Sequence, residues 1–462
     1  MPNLKLAYVK RSLKEGENPA SFLEALKMFK TVLLESAVGG RFSYIGYDPF
    51  AYVTSKEGHA QMTVLRDFAN WKKTGGISVR HGTSYEALKY YVQYYSFGGK
   101  APVPFTGGVG GFFSYDFGCK LIGVEQKVFD DLGLPEYAFY FFDKVVVFDH
   151  DLGELYYCAN APTNMEAERK LKQMQSESKE SDMLQRAGDI GPITSNLSKE
   201  KYFQKIDEIK KYLADGETYQ VNFSQRFMAD CSLDPWRVYL NLRRINPSPY
   251  GCYFDFDDYQ IVSCSPELLC EKMGNLVRTR PIKGTVKRGK STADDKKQID
   301  KLLSSVKDQA ELAMIVDLER NDLGKVCDFG TVKVIEHRKV EKYAHVIHTV
   351  STIEGKLKAG KDFFDTFEAV FPGGSITGCP KTRTIEIIDR LEDFRRGIYT
   401  GSAGFIGFDG NAVMNILIRT VLFKCGKMYY QVGGGIVMDS VALDEYKETL
   451  DKAESLRLAL EV

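Results

Sequence analysis

The strongest constraint in this 462-residue chain is a series of tight-turn dipeptides, each flanked by runs of β-branched and aromatic residues. Gly274-Asn275 separates LLCEKM from LVRTRPIK, Asp409-Gly410 separates GFIGF from NAVMNILIRTVLF, and Cys425-Gly426 separates that run from MYYQVGGGIV. Short Gly-containing turns between such runs close antiparallel hairpins. Gly39-Gly40 within TVLLESAVGGRFSYIGYDPFAYV and Asp151-Leu152-Gly153 within KVVVFDHDLGELYYC read the same way, and Phe105–Tyr115 is a Gly-rich aromatic strand. The chain is therefore expected to be α+β, with large antiparallel sheets packed on each other and helices outside.

The helices are placed by periodicity. Tyr202, Ile206, Ile209 and Leu213 form one apolar stripe that Gly216 stops. A long helix is expected over 294–319, ahead of Asn321-Asp322-Leu323-Gly324, and an acidic one over ALDEYKETLDKAESLRLALEV at the C-terminus. Residues 166–197 are polar and Ser-rich, a charged helix running into a surface linker. They divide an N-terminal lobe over 1–165 from a core over 198–462, although the two are expected to share a sheet.

Composition narrows the partners. The 62 basic and 62 acidic residues cancel, which leaves no electrostatic footprint for nucleic acid or an anionic membrane. Nine scattered cysteines form no C-x-x-C pair, so they read as buried thiols of a reducing compartment, and no apolar run reaches the ~18 residues of a membrane span. A soluble, cytoplasmic protein acting on a small molecule is the expectation.

Local geometry then gathers candidate chemistry. Pairing Met273 with Leu276 and counting back places Glu267 opposite Ile282, one residue from Lys283 in Pro281-Ile282-Lys283-Gly284-Thr285. Proline fixes the chain direction there and glycine admits a close approach, while the cations at 278, 280, 287, 288 and 290 favour a neutral Lys283 amine. The plainer reading of this stretch is a solvated basic loop. Asp308 and Glu311 share one helix face, as do Glu445, Glu448 and Lys452, and two such carboxylate pairs suit magnesium if the helices face each other. Ordinary exposed acidic pairs are the alternative. Counting across Cys425-Gly426 puts Arg419 opposite Val432, beside Gly433-Gly434-Gly435, a fork next to glycine amides that suits a carboxylate. A glycine run serving only a sheet bend is the competing reading.

SPELL at 265–269, RPIKGT at 280–285, AELAMIVDLERNDLG at 310–324, HVIHTVS at 345–351, PGGSITGCPK at 372–381, RRGIYTGSAGF at 395–405, ILIRT at 416–420 and GGGIV through EYKETLDKA at 433–453 resemble, in that order, the chorismate-utilising enzymes. The resemblance extends to LLESAVGGRFSYIGYDP and covers most of the chain. It implies a two-lobed antiparallel β-sandwich with outer helices around one chorismate cleft. The lysine of PIKGT resembles the branch that makes 4-amino-4-deoxychorismate for 4-aminobenzoate and folate, whereas anthranilate-forming relatives usually carry alanine there. Gly434, Cys379 and Leu443 depart from the family pattern in small ways.

The resemblance further implies Lys283 as a covalent nucleophile at C2 of chorismate, Glu267 as general acid and base, and His348 and Ser375 along the ring pocket. Glu311 and Glu448 would hold Mg²⁺ with Asp308 and Glu445 outside them, Tyr399 and Arg419 would bind the enolpyruvyl carboxylate, and Gly433, Gly434, Gly435 and Lys452 the other carboxylate or its surroundings. Glu35 and Ser36 of LLESA, with Pro249 and Tyr250 of NPSPY, resemble a tryptophan-binding pocket, here a vestige or the seat of a structural tryptophan. No cysteine lies in a G-x-C-x-G elbow, so ammonia is expected from a separate glutamine amidotransferase subunit. Anthranilate synthesis, and a non-catalytic tryptophan- or chorismate-binding scaffold, stay open as alternatives.

Overall fold

Strands such as Lys144–Asp149, apolar between its charged ends, and the aromatic Tyr137–Phe142 are buried on both faces, which requires cover above and below. The cover is a second sheet on one side and helices on the other. The computed structural model describes residues 3–26, 30–72, 77–79, 83–97, 99–177, 188–343 and 346–461. Among these, a 13-stranded and a 12-stranded sheet pack face to face. Val145, Val147, Phe254, Ile261 and Leu422 of the first meet Phe112, Tyr140, Phe142, Ala403 and Phe405 of the second in one apolar layer. Helices Pro19–Leu26, Pro235–Ile245 and Ala442–Leu460 cover the outer face of the first sheet. Helices Ser84–Tyr94, Val306–Val326 and Phe363–Val370 cover that of the second. The fold is thus the expected α+β sandwich, its strands antiparallel except where Asn3–Ser12 meets Ser96–Phe97.

Both sheets draw strands from either side of residues 166–197. Helix Asn164–Glu177 buries Ala167 and Met174, and residues 178–187 of the expected linker lie outside the described residues, as does His345 of HVIHTVS.

The turn dipeptides close the hairpins assigned to them. Val32–Glu35 pairs with Phe42–Gly46 around Gly39-Gly40, Asp149 faces Glu154, and Met273 faces Leu276. Three expectations differ. A bulge shifts the register between Leu268 and Glu271, so Leu268 faces Arg280, and Ile282–Lys287 pairs with Val346–Lys356 rather than continuing the hairpin. The helix expected over 294–319 is two, Thr292–Ser304 and Val306–Val326, because Ser305 turns to extended backbone and its side chain caps the Asp308 amide. NAVMNILIRTVLF, expected as one strand, divides into Ala412–Asn415 in the second sheet and Thr420–Lys424 in the first.

That division has a counterpart. Tyr259–Ser265 belongs to the first sheet and Leu268–Met273 to the second, so the chain crosses between sheets at Pro266-Glu267 as well as at 416–419. The two crossovers lie side by side. Ser265 Oγ donates to Ile416 O at 2.6 Å, the Ile416 amide to Glu267 O at 3.0 Å, and the Cys264 amide to Arg419 O at 3.1 Å.

One buried group on the second sheet's outer face titrates unusually. Glu319 is 7% exposed, its Oε2 has no hydrogen-bond partner, and burial raises its carboxyl to about 8 against the pull of the Thr279 hydroxyl. The folded state therefore holds a proton that the unfolded chain releases, and stability falls as pH rises from about 4.5 to about 8. Glu319→Gln removes this loss. Its stability advantage over wild type should widen by roughly 1.4 kcal/mol per pH unit across that window, read by urea unfolding at pH 5.5 and 8. A gap independent of pH would count against a neutral Glu319.

Candidate active site

Gly284 takes φ +71°, and a Cβ there would stand 2.8 Å from Leu302 Cδ1 and 3.2 Å from Asp308 Cβ. Only glycine lets the junction of the two helices come this close, as the sequence suggested for an approach at this position. The register slips at the same point, with Lys283 opposite Thr349 and Thr285 opposite His348. Lys283 and Thr285 then serve different partners. Lys283 Nζ donates to Ser375 O at 3.4 Å, while Thr285 Oγ1 lies 2.7 Å from His348 Nδ1.

These groups border a cavity of about 500 Å³. Glu267, Lys283, His348, Ser375, Tyr399, Arg419, Gly433, Gly435, Lys452, Asp308, Glu311, Glu445 and Glu448 all line it, so residues chosen from well-separated motifs converge. Gly434 does not line it. The glycines are also less free than supposed, since Gly433, Gly434 and Gly435 pair with Ser224, Phe223 and Asn222. Gly433 O accepts from Lys452 Nζ at 2.8 Å, which turns the Gly433 and Gly435 amides to the open side and Gly434 to the ladder. A side chain at Gly433 would press its Cβ to 2.8 Å from the Tyr399 hydroxyl.

Glu267 and Arg419 occupy the two crossovers. Glu267 is 4% exposed, and burial lifts its carboxyl above the ordinary range, with Ser375 and Lys283 pulling it back. The bulge keeps it near its expected neighbour, because the Ile282 amide donates to Glu267 Oε1 at 3.4 Å. Arg419 has φ +55° and so leaves the ladder before reaching the position opposite Val432; its Nη1 donates to Lys452 O at 3.1 Å. Burial drives the Lys283 ammonium below the ordinary lysine range, Glu311 opposing and Lys452 assisting. Burial beside Arg419 and Lys452 takes His348 down to about 3, a neutral imidazole at physiological pH.

The carboxylates of the Val306–Val326 and Ala442–Leu460 helices reach the cavity from both sides. Among the described residues no three His, Cys, Asp or Glu side chains converge as a ready-made cage. Glu311 Oε1, however, is buried without a hydrogen-bond partner, and the donors are all hard oxygens. This set fits a magnesium ion held by one or two carboxylates and completed by water and ligand. Lys452 lies 2.7 Å from Glu448 Oε1 and holds that carboxyl below its usual range.

Two contributors were not identified from sequence. Asn222 is 6% exposed and lines the cavity with Nδ2 unpartnered, as is the buried Ser375 Oγ on the same wall. Arg396 is 2% exposed and forks onto Glu392 at 2.8 and 2.9 Å, while donating to Ile376 O at 3.0 Å and Asn222 O at 2.6 Å. It fixes the backbone on which Ser375 and Asn222 stand. The signal in sequence is a Glu and Arg four apart; nothing in sequence marks the pair as buried.

Glu35, Ser36, Pro249 and Tyr250 lie away from the cavity. Their segments do meet: Glu35 pairs with Gly251 and the Ala37 amide donates to Ser248 O. The Glu35 carboxylate accepts from Tyr239 Oη at 2.5 Å and from Arg243 at 2.7 and 2.9 Å.

Known proteins resemble this chain. The chain is 39% identical over 453 residues to aminodeoxychorismate synthase component 1 of Bacillus subtilis (strain 168), covering 93% of this chain and 92% of that protein. It is 37% identical over 451 residues to anthranilate synthase component 1 of Acetivibrio thermocellus, covering 93% and 90%. The crystal structure of anthranilate synthase component I from Streptococcus pneumoniae TIGR4 superposes with a TM-score of 0.77 at 30% identity, over 91% of this chain and 92% of that one. The fold alone is shared with MenF, the menaquinone-specific isochorismate synthase of Escherichia coli, at a TM-score of 0.75 and 16% identity over 99% and 95% of the two chains. A family model described as chorismate binding enzyme matches residues 30–457, a span that holds every cavity-lining residue named above, and the chain belongs to that family of chorismate-utilising enzymes.

Proposed function

We propose that the protein converts chorismate and ammonia to 4-amino-4-deoxychorismate through a covalent adduct on Lys283. The observation that carries this reading is Lys283 itself, an amine that burial shifts toward neutrality on the wall of the cavity, with the buried acid Glu267 among the groups that act on it. Lys283 Nζ bonds to C2 as the ring double bonds shift, and the C4 hydroxyl departs as water with a proton from Glu267. Ammonia then bonds to C4, the double bonds shift back, and the C2–N bond to Lys283 breaks, releasing the amine. Arg419 and Tyr399 hold the enolpyruvyl carboxylate, and Asn222 and Ser375 donate to the remaining oxygens. Magnesium on Glu311 and Glu448, flanked by Asp308 and Glu445, would neutralise the ring carboxylate. Ammonia is supplied by a separate glutamine amidotransferase subunit; the component 1 designation of the relatives supports a second component.

The test is product identity. Incubated with chorismate, magnesium chloride and ammonium salt and without any partner subunit, the chain should yield 4-amino-4-deoxychorismate. Peptide mass mapping after quenching should place a chorismate-derived adduct on Lys283. Anthranilate with pyruvate as the product would overturn the reading, and an adduct on another residue would overturn the lysine's part in it.

A further inference from the structure

The carboxylates that would take magnesium are already attended by a cation. Lys307, in the first turn of the Val306–Val326 helix, places Nζ 3.8 Å from Glu311 Oε1 and 3.6 Å from Glu445 Oε1, spanning both helices that border the cavity. At these distances the ammonium makes no hydrogen bond to Glu311, whose Oε1 stays unpartnered, yet it neutralises the pair through space. The lysine is half exposed, at 50%, and its stem is long enough to swing into solvent. Asp308, Glu445 and Glu448 face the same space from the two helices, with Lys283, Lys287, Arg419, Lys447 and Lys452 as further cations on the cavity wall.

We propose that Lys307 competes with the divalent cation for Glu311 and Glu445, standing in for it when the protein carries no metal and leaving when the metal binds. This rests on the magnesium assignment made above. Two carboxylates brought this close without a cation repel each other, and a lysine on the rim keeps them aligned at the cost of weakening the first metal contact. The site is thereby tuned to bind magnesium firmly only when a substrate carboxylate supplies additional ligands.

Calorimetric titration with magnesium chloride, without and with chorismate and in the absence of ammonia, tests the idea on wild type, Lys307→Met and Lys307→Arg. Methionine keeps the apolar stem and removes the charge. Its magnesium dissociation constant without chorismate should fall by up to about fivefold, the size expected of one partly screened ion pair. Without magnesium its Tm should drop, and added magnesium should raise it by more than in wild type. Arginine, which retains the charge, should bind near the wild-type value. Equal affinities for wild type and Lys307→Met, or weaker binding by the methionine variant, would overturn the competition while leaving the magnesium assignment standing. No binding by either, even with chorismate, would overturn both.

Discussion

Glu267→Gln is expected to lower kcat for chorismate turnover by ~10²–10⁴-fold, with little change in the affinity for chorismate. The carboxyl is buried, and its ordinary role as a surface charge is excluded by that burial. Glutamine has the same shape and can still accept the Ile282 amide, so the loss falls on the proton and not on packing. On the proposed function the C4 hydroxide leaves only if protonated, and Glu267 is a buried acid on the cavity wall whose carboxyl feels the Lys283 charge. The sign of the pH dependence follows. Because burial raises the Glu267 carboxyl, the protonated acid persists to higher pH than an exposed glutamate, and the rate of the dehydrating step should decline as pH rises through the raised value. The variant should lose that limb of its pH profile. Steady-state kinetics across pH, with an unchanged thermal melt as the control, decides the matter; a variant retaining wild-type kcat would remove Glu267 from the chemistry.

Arg396→Met should cost ~3–5 kcal/mol of stability, the amount associated with orphaning one member of a buried ion pair. Methionine fills the space but leaves Glu392 charged, 8% exposed, and holding only the Ser224 amide and hydroxyl. The carbonyls of Ile376 and Asn222 lose donors at the same time. Adding Glu392→Gln removes the stranded charge, so the double variant should recover part of the loss, which a simple packing defect would not. Urea unfolding of the two single variants and the double one measures the coupling. The Arg396→Met enzyme should also show a raised KM for chorismate, since Ser375 and Asn222 both adjoin the carbonyls it releases.

How legible this architecture is from sequence depends on whether the deciding contact is local. Gly274-Asn275 sets the Met273–Leu276 pairing because a two-residue turn leaves no other register, and Gly284 announces a close approach because a side chain there would press on Leu302 and Asp308. The break at Ser305 is also local: Ser305 caps the Asp308 amide, a signal carried by residues three apart and absent from the single helix expected there. The crossovers are different. NILIR has the composition of a strand, and only the competing pairing of Ala412–Asn415 and Thr420–Lys424 with two different sheets divides it. The bulge at Leu268 follows from the same tertiary demand. Asn222 escapes notice because an asparagine in a strand carries no mark of the burial that leaves its amide unpartnered. The convergence of the thirteen lining residues named above was legible through the ordered motifs, whereas the pairing of the central glycine, Gly434, with Phe223 was not.

The side-by-side crossovers also bear on the order in which the protein becomes competent during synthesis. Glu267 sits on the first, Arg419 on the second, and each crossover is tied to the other by backbone hydrogen bonds. A growing chain that has emerged through Glu267 and Lys283 carries both side chains but neither the second crossover nor the helix bearing Glu448 and Lys452. The pocket that buries Lys283 closes only when the last hundred or so residues join both sheets, so on the proposed function an incomplete chain lacks the enclosure that shifts the amine toward neutrality.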